Sequence, residues 1–219
     1  MASVGPLRRY APLILIAALG LALVGLGSRG ALAIFSGQAA NGDNTFTTIP
    51  VFPVDTGWLD PSAEAADTGG DGDGFELDPT NAYGDDSLYA LNENGYGDRH
   101  RFYNYGISVP GGSTIFGIEV RLDWWLNLVE GDNSLSVELS SDGGTSWTAA
   151  KTDTEETQSE HTAVLGARND TWGRTWSLSE LSDANFRVRV TSNCSGDFTC
   201  QWRDFYLEWI PVRIHYIPP

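Results

Sequence analysis

The sequence predicts an all-β fold: an antiparallel β-sandwich or jelly roll of about seven to nine strands, preceded by an N-terminal signal helix. Three observations predict it. Ile118, Val120, Leu122, Trp124, Leu126 and Leu128 keep strict period two, opposed by Glu119, Arg121, Asp123, Trp125 and Asn127. Similar alternating runs are separated by turn signals such as Pro110-Gly111-Gly112, Gly131-Asp132-Asn133 and Asp142-Gly143-Gly144. No stretch beyond the N-terminal run sustains a 3.6-residue period, in a chain of 219 residues with 25 Gly.

The N-terminus reads as an export signal. Arg8 and Arg9 form a positive region, Ala11 to Gly27 carry no charge, and Ala31-Leu32-Ala33 offers small residues for cleavage. Residues 1–33 are thus a signal peptide, or a retained signal anchor, since 17 uncharged residues just reach across about 30 Å of hydrocarbon. Either reading puts the remainder outside the cell, and this segment is the only predicted contact with a membrane. Residues 34–56 form a lead segment, in which Pro50 and Pro53 limit Phe46 to Phe52 to an edge strand. Residues 57–219 form one sandwich domain.

The formal charge is −16, and cleavage removes three of the 13 basic residues but no acid, leaving 10 against 29, or −19. That excludes a nucleic-acid binder, which needs clustered Lys and Arg. The 25 aromatic residues exclude a disordered acidic chain.

Within the domain, residues 55–98 are rich in acid and turns and poor in strand pattern. Tyr103, Tyr105, Ile107 and Val109 alternate next, followed by the 118–128 strand and then Leu135, Val137 and Leu139. Residues 151–162 are weakly patterned; Phe186, Val188 and Val190 alternate with Arg187 and Arg189. Phe205, Leu207 and Trp209 share a face opposite Tyr206 and Ile210, and the phase changes at Pro211, which predicts a bulge or bend.

Four groups of residues are candidate sites. Asp67, Asp71, Asp73, Glu76 and Asp78 place five carboxylates within twelve residues, spaced by Gly, as a Ca²⁺ loop or a solvated acidic one. Trp125 adjoins Trp124 and must face the opposite way; with Tyr103 and Tyr105 it is a candidate sugar-stacking surface, or a second packed face or subunit contact. Cys194 and Cys200 flank a short loop between strand-like runs and read as a disulfide in an exported chain. Ser140-Ser141-Asp142-Gly143-Gly144-Thr145-Ser146-Trp147 looks like an Asp-box, a hairpin-folding motif without chemistry, in which Ser140, Asp142, Gly144 and Trp147 shape the turn. No hydrolase elbow, zincin helix or phosphate loop occurs, and His100, His161 and His215 sit in no catalytic pattern, so no enzyme is expected.

Two resemblances bear on function. Gly30 to Ser36 followed by Asn44-Thr45-Phe46-Thr47 resembles the start of TasA/camelysin-type exported proteins, processed by a SipW-like signal peptidase; several of these build extracellular fibres. The ordered string Asp78 to Tyr83, Asp85 to Ala90, Phe102 to Val120, Asp170 to Trp176, Leu181 to Val190 and Val212 to Tyr216 resembles a β-sandwich module recurrent in bacterial surface and secreted proteins and in phage structural proteins. The resemblance implies a non-enzymatic, secreted prokaryotic surface or matrix protein with a structural or adhesive role, self-assembling or bound to cell-surface components. The alternative is an extracellular carbohydrate-binding module, stabilised by calcium if the acidic loop holds it.

Overall fold

The computed structural model describes residues 52–219 apart from Asp197. They belong to one compact unit, Ile49–Pro219. The signal segment, the cleavage site and the lead strand through Val51 lie outside the described residues.

Eleven strands form two antiparallel sheets: β1 (Val54–Asp55), β2 (Ala63–Asp67), β3 (Ala90–Asn92), β4 (Arg99–Tyr103), β5 (Thr114–Leu126), β6 (Asp132–Ser140), β7 (Lys151–Asp153), β8 (His161–Gly166), β9 (Arg187–Ser195), β10 (Phe205–Trp209) and β11 (Val212–Ile217). One sheet is built on β5. Its first half pairs with β11 and its second with β10, β8 lies on β5 as well, and β1 and β3 extend the sheet from β11 and β10. The other sheet runs β2-β4-β9-β6-β7. The fold is the all-β sandwich that the alternation predicts.

Alternation dictates what is buried. Ile118, Val120, Leu122, Trp124 and Leu126 of β5 face Leu135, Val137, Leu139, Val188 and Val190 of the second sheet, all at most 1% exposed. Each such aliphatic side chain contributes about 1.5–3 kcal/mol of burial. Trp124 adds a polar tie, its indole N–H donating to Asp153 Oδ2 at 2.8 Å. Leu128 lies beyond the end of β5 and is 37% exposed.

Three sequence expectations shift. Residues 55–98 are not a structureless loop: β2 and β3 form there, with a 3₁₀ turn at Pro79–Ala82, because these short strands take their order from pairing with β4 and β10. The phase change lies at Glu208 and not at Pro211. The register slips between Leu207 and Trp209, which turns Trp209 outward and Ile210 into the core. Tyr105 does not share a face with Tyr103. Asn104 adopts a left-handed backbone (φ 59°) just after β4, and Tyr105 turns inward to 4% exposure with its hydroxyl donating to Ile210 O.

Candidate functional site

One end of the sandwich carries an open cleft of about 640 Å³, lined by Tyr96, Gly97, Asp132, Asn133, Ser134, Thr154, Glu156, Asn193, Cys194 and Ser195. That volume lies within the range of ligand-binding clefts. The pairing of β6 with β9 puts Asp132, Asn133 and Ser134 opposite Ser195, Cys194 and Asn193. The Cys194–Cys200 disulfide, with Cα atoms 5.5 Å apart, closes the adjoining loop. From across the sheet, Gly97 N–H donates to Ser192 O and Ser192 N–H to Asp98 O, fixing the turn that carries Tyr96. Tyr96 is 52% exposed, an aromatic ring held at the cleft mouth between two glycines.

The polar groups are partly preset. Glu156 accepts from the Asn133 backbone N–H at 2.7 Å and from its Nδ2 at 3.1 Å. Asn133 Oδ1, on a side chain 2% exposed, has no hydrogen-bond donor among the described residues. Asn193 Nδ2 donates to Ser136 Oγ, leaving its amide anchored to β6. On the clamped loop beside the cleft, Phe198 and Trp202 meet edge to face at 6.2 Å and stay exposed.

A second cavity, about 290 Å³, shares Tyr96 and is lined by Gly70, Asp71, Asn94 and Asp98. Here the Asp71, Asp73 and Asp98 carboxylates converge, with ligand oxygens all within 4.8 Å of one another. Asp98 is 1% exposed and accepts from Asp71 N–H at 2.8 Å. Gly70 (φ +54°) is required there: a Cβ would sit 1.8 Å from Asp98 Oδ1. The crowding marks the protonation equilibria. A hydrogen bond with Asp71, then burial, raises Asp73 to about 6; burial raises Asp98; and the hydrogen bond from Asp73 lowers Asp71. Three hard oxygen donors with no lining Lys or Arg match the ligand chemistry of Ca²⁺.

The five carboxylates singled out in the sequence do not all lie together. Of the five, Asp71 and Asp73 converge among the described residues, and Asp98 joins them from 25 residues downstream. Asp67 ends β2, where the β2-β4-β9 strand order brings it to Arg101 on β4 (3.8 Å) and Arg189 on β9 (3.4 Å). Glu76 accepts from Glu93 N–H at 2.7 Å, and Asp78 sits in a left-handed conformation (φ 50°) ahead of the 3₁₀ turn.

The predicted stacking residues separate. Trp125 is half-buried, not openly exposed: Tyr206 lies parallel to it (5.2 Å, 3°), and Tyr89 meets both rings edge-on at 5.1 Å. Cross-strand pairing of β5 with β10 produces that stack and takes one indole face out of use. Tyr103 is half-buried beneath the Arg187 guanidinium (4.4 Å), and Tyr105 is in the core. In the Asp-box-like turn, Ser140 Oγ donates to Asp142, and Asp142 Oδ1 accepts from the N–H groups of Thr145 (3.0 Å) and Ser146 (2.9 Å). Gly144 N–H donates to Ser140 Oγ, and Trp147 lies under Arg189 at 4.1 Å. The Ser146 hydroxyl and amide hold Asp142 down at about 2. Each histidine meets a carboxylate: His100 with Glu64, His161 with Asp153, His215 with Glu119.

The fold and cleft define an antiparallel β-sandwich with a polar, aromatic-edged cleft at its loop end. No protein-family model matches the chain, and no curated protein does. Among solved structures it is similar to the CBM32 of AlyQ in complex with 4,5-unsaturated mannuronic acid (13% identity, TM-score 0.36, covering 71% of this chain and 96% of that one). It is also similar to the CBM22-1 xylan-binding domain of Paenibacillus barcinonensis Xyn10C (9% identity, TM-score 0.36, 74% and 87%). A third is the Clostridium thermocellum xylanase 10B CBM22-1–GH10 modules complexed with xylohexaose (13% identity, TM-score 0.34, 73% of this chain and 26% of that one). At these values no site residue carries over from those proteins.

Proposed function

We propose that this chain is a non-catalytic, exported glycan-binding module that serves surface or matrix adhesion. The observation that carries the reading is the cleft beside the Cys194–Cys200 clamp, where one exposed ring, Tyr96, faces a bed of Asn, Ser, Thr and carboxylate groups. Sugars have just this dual demand: an apolar ring face to stack, and hydroxyls that seek paired donors and acceptors. The clamp makes binding less costly, because a loop fixed beforehand loses little freedom on association. Asp71, Asp73 and Asp98 would hold Ca²⁺ and fix the turn on which Tyr96 stands; the ion would be structural.

The test is a glycan array with the purified chain, its Tyr96→Ala variant and a Trp125→Ala variant. The expected outcome is a defined set of bound glycans, lost with Tyr96→Ala and kept with Trp125→Ala. Absence of any bound glycan, or loss only with Trp125→Ala, would refute the assignment.

A further inference from the structure

Resting on the glycan-binding reading, we propose that the cleft selects glycans carrying free ammonium groups, that is, amino sugars without their N-acetyl caps. The cleft lining contains Asp132 and Glu156 and no Lys or Arg. The adjoining cavity, which shares Tyr96, adds Asp71 and Asp98 and again no base. The nearest arginine by register, Arg99 opposite Thr191, is engaged beyond the end of β2, donating to Thr68 O at 3.3 Å. The neighbouring Arg203 is fully buried and donates to Glu130 O. Four of the domain's arginines, Arg99, Arg101, Arg187 and Arg189, are gathered on β4 and β9, where they pair with carboxylates and carbonyls and stack on rings, and none of them lines the cleft.

Donor counting points the same way. An ammonium brings three N–H donors and no acceptor. The cleft offers acceptors for them: the exposed Asp132 carboxylate and the remaining lone pairs of Glu156, beside which Asn133 Oδ1 lies buried without a donor among the described residues. A uronate or sulfated sugar would set its own anion against Asp132 and Glu156 with no Lys or Arg among the lining residues to answer it. A bound Ca²⁺ at Asp71, Asp73 and Asp98 would not alter this, since Asp132 and Glu156 lie outside that set.

The experiment is calorimetric titration of the purified chain at about pH 6, where the amine is charged. The probes are hexamers of glucosamine, of N-acetylglucosamine and of a uronic acid, at low and high salt. The expected result is about tenfold tighter binding of the glucosamine hexamer than of the acetylated one at low salt, shrinking to about twofold at high salt, with no uronate binding. Asp132→Asn, at an exposed side chain, should cut the preference for the glucosamine hexamer about threefold. Glu156→Gln should act similarly, with its melting curve checked because Glu156 also anchors β6. Equal affinity for the two hexamers, uronate binding, or equal binding of spermidine would overturn the inference; in the first two cases the glycan reading stands. No binding of any hexamer would instead remove the glycan reading itself.

Discussion

Calcium should stabilise this protein through Asp98, a residue distant in sequence from the acidic loop it completes. Extracellular calcium sites have dissociation constants of about 10⁻⁴–10⁻³ M. At about 10 mM Ca²⁺ the ion is 10 to 100 times above that value, which is about 1.4–2.7 kcal/mol of added stability. For a domain of this size each kcal/mol moves the melting temperature by roughly 2–4 °C, so the shift between EDTA and calcium is about 3–11 °C. The assay is differential scanning calorimetry on the wild-type chain, Asp98→Asn and Asp67→Asn. Asp98→Asn should lose most of the shift, while Asp67→Asn should keep it, because Asp67 is committed to Arg101 and Arg189. In EDTA, Asp98→Asn should melt no lower than wild type, since it removes one of the like charges facing Asp73, which its hydrogen bond with Asp71 and then burial raise to about 6. That raised value fixes the sign of the metal-free pH dependence. The folded state holds the proton more tightly than the unfolded one, so Asp73 makes stability fall as pH rises from about 4 to 6. No calcium shift in the wild type, or a shift abolished by Asp67→Asn and kept by Asp98→Asn, would refute the reasoning.

Three further outcomes follow from the geometry. Removing the disulfide with Cys194→Ser/Cys200→Ser frees a closure of separation 6 and should cost about 2.2 kcal/mol, or roughly 4–9 °C by calorimetry; an unchanged melting curve would show that the clamp constrains nothing. Asp142→Ala removes the acceptor for the Thr145 and Ser146 amides and should cost about 1–2 kcal/mol near neutrality. Because Asp142 is held down at about 2, wild-type stability from this turn is present above about pH 4 and lost as pH falls toward 2, and the variant's melting curves should lack that decline. Glu160, raised to about 7 by its hydrogen bond to Glu208 and then by burial, has the opposite sign: stability falls as pH rises from about 4.5 to 7, and Glu160→Gln should flatten that fall and raise the melting temperature at pH 8 by about 1–2 °C after solvent screening.

The strands were legible where burial enforces alternation. β5, β6 and β9 each present one face to the core, so their period of two survives in the sequence. β2, β3, β7 and β8 were not legible because their order comes from partners far along the chain, and Ala63–Asp67 has no apolar stripe of its own. The bulge at Glu208 left a trace as a broken phase but was misplaced by three residues, toward the more conspicuous Pro211. The cleft was harder to foresee. Asn133, Asn193 and Tyr96 meet only through the β6–β9 register and the tie from Gly97 to Ser192, and neither contact is local. Two signals were available: Tyr96 set between Gly95 and Gly97, and Phe198 and Trp202 crowding a short disulfide loop. Trp125 misled because alternation gives the face of a side chain and not what lies beside it; Tyr206 comes from another strand.

The most direct measurement is an amide chemical-shift titration of the isotopically labelled chain with the glycan selected on the array. Glycan binding in the cleft predicts saturable shifts concentrated at Tyr96, Gly97, Asn133, Ser134, Asn193 and Ser195, the residues that line it. Shifts concentrated instead around Tyr89, Trp125 and Tyr206, or no saturable shift with any glycan, would contradict the account.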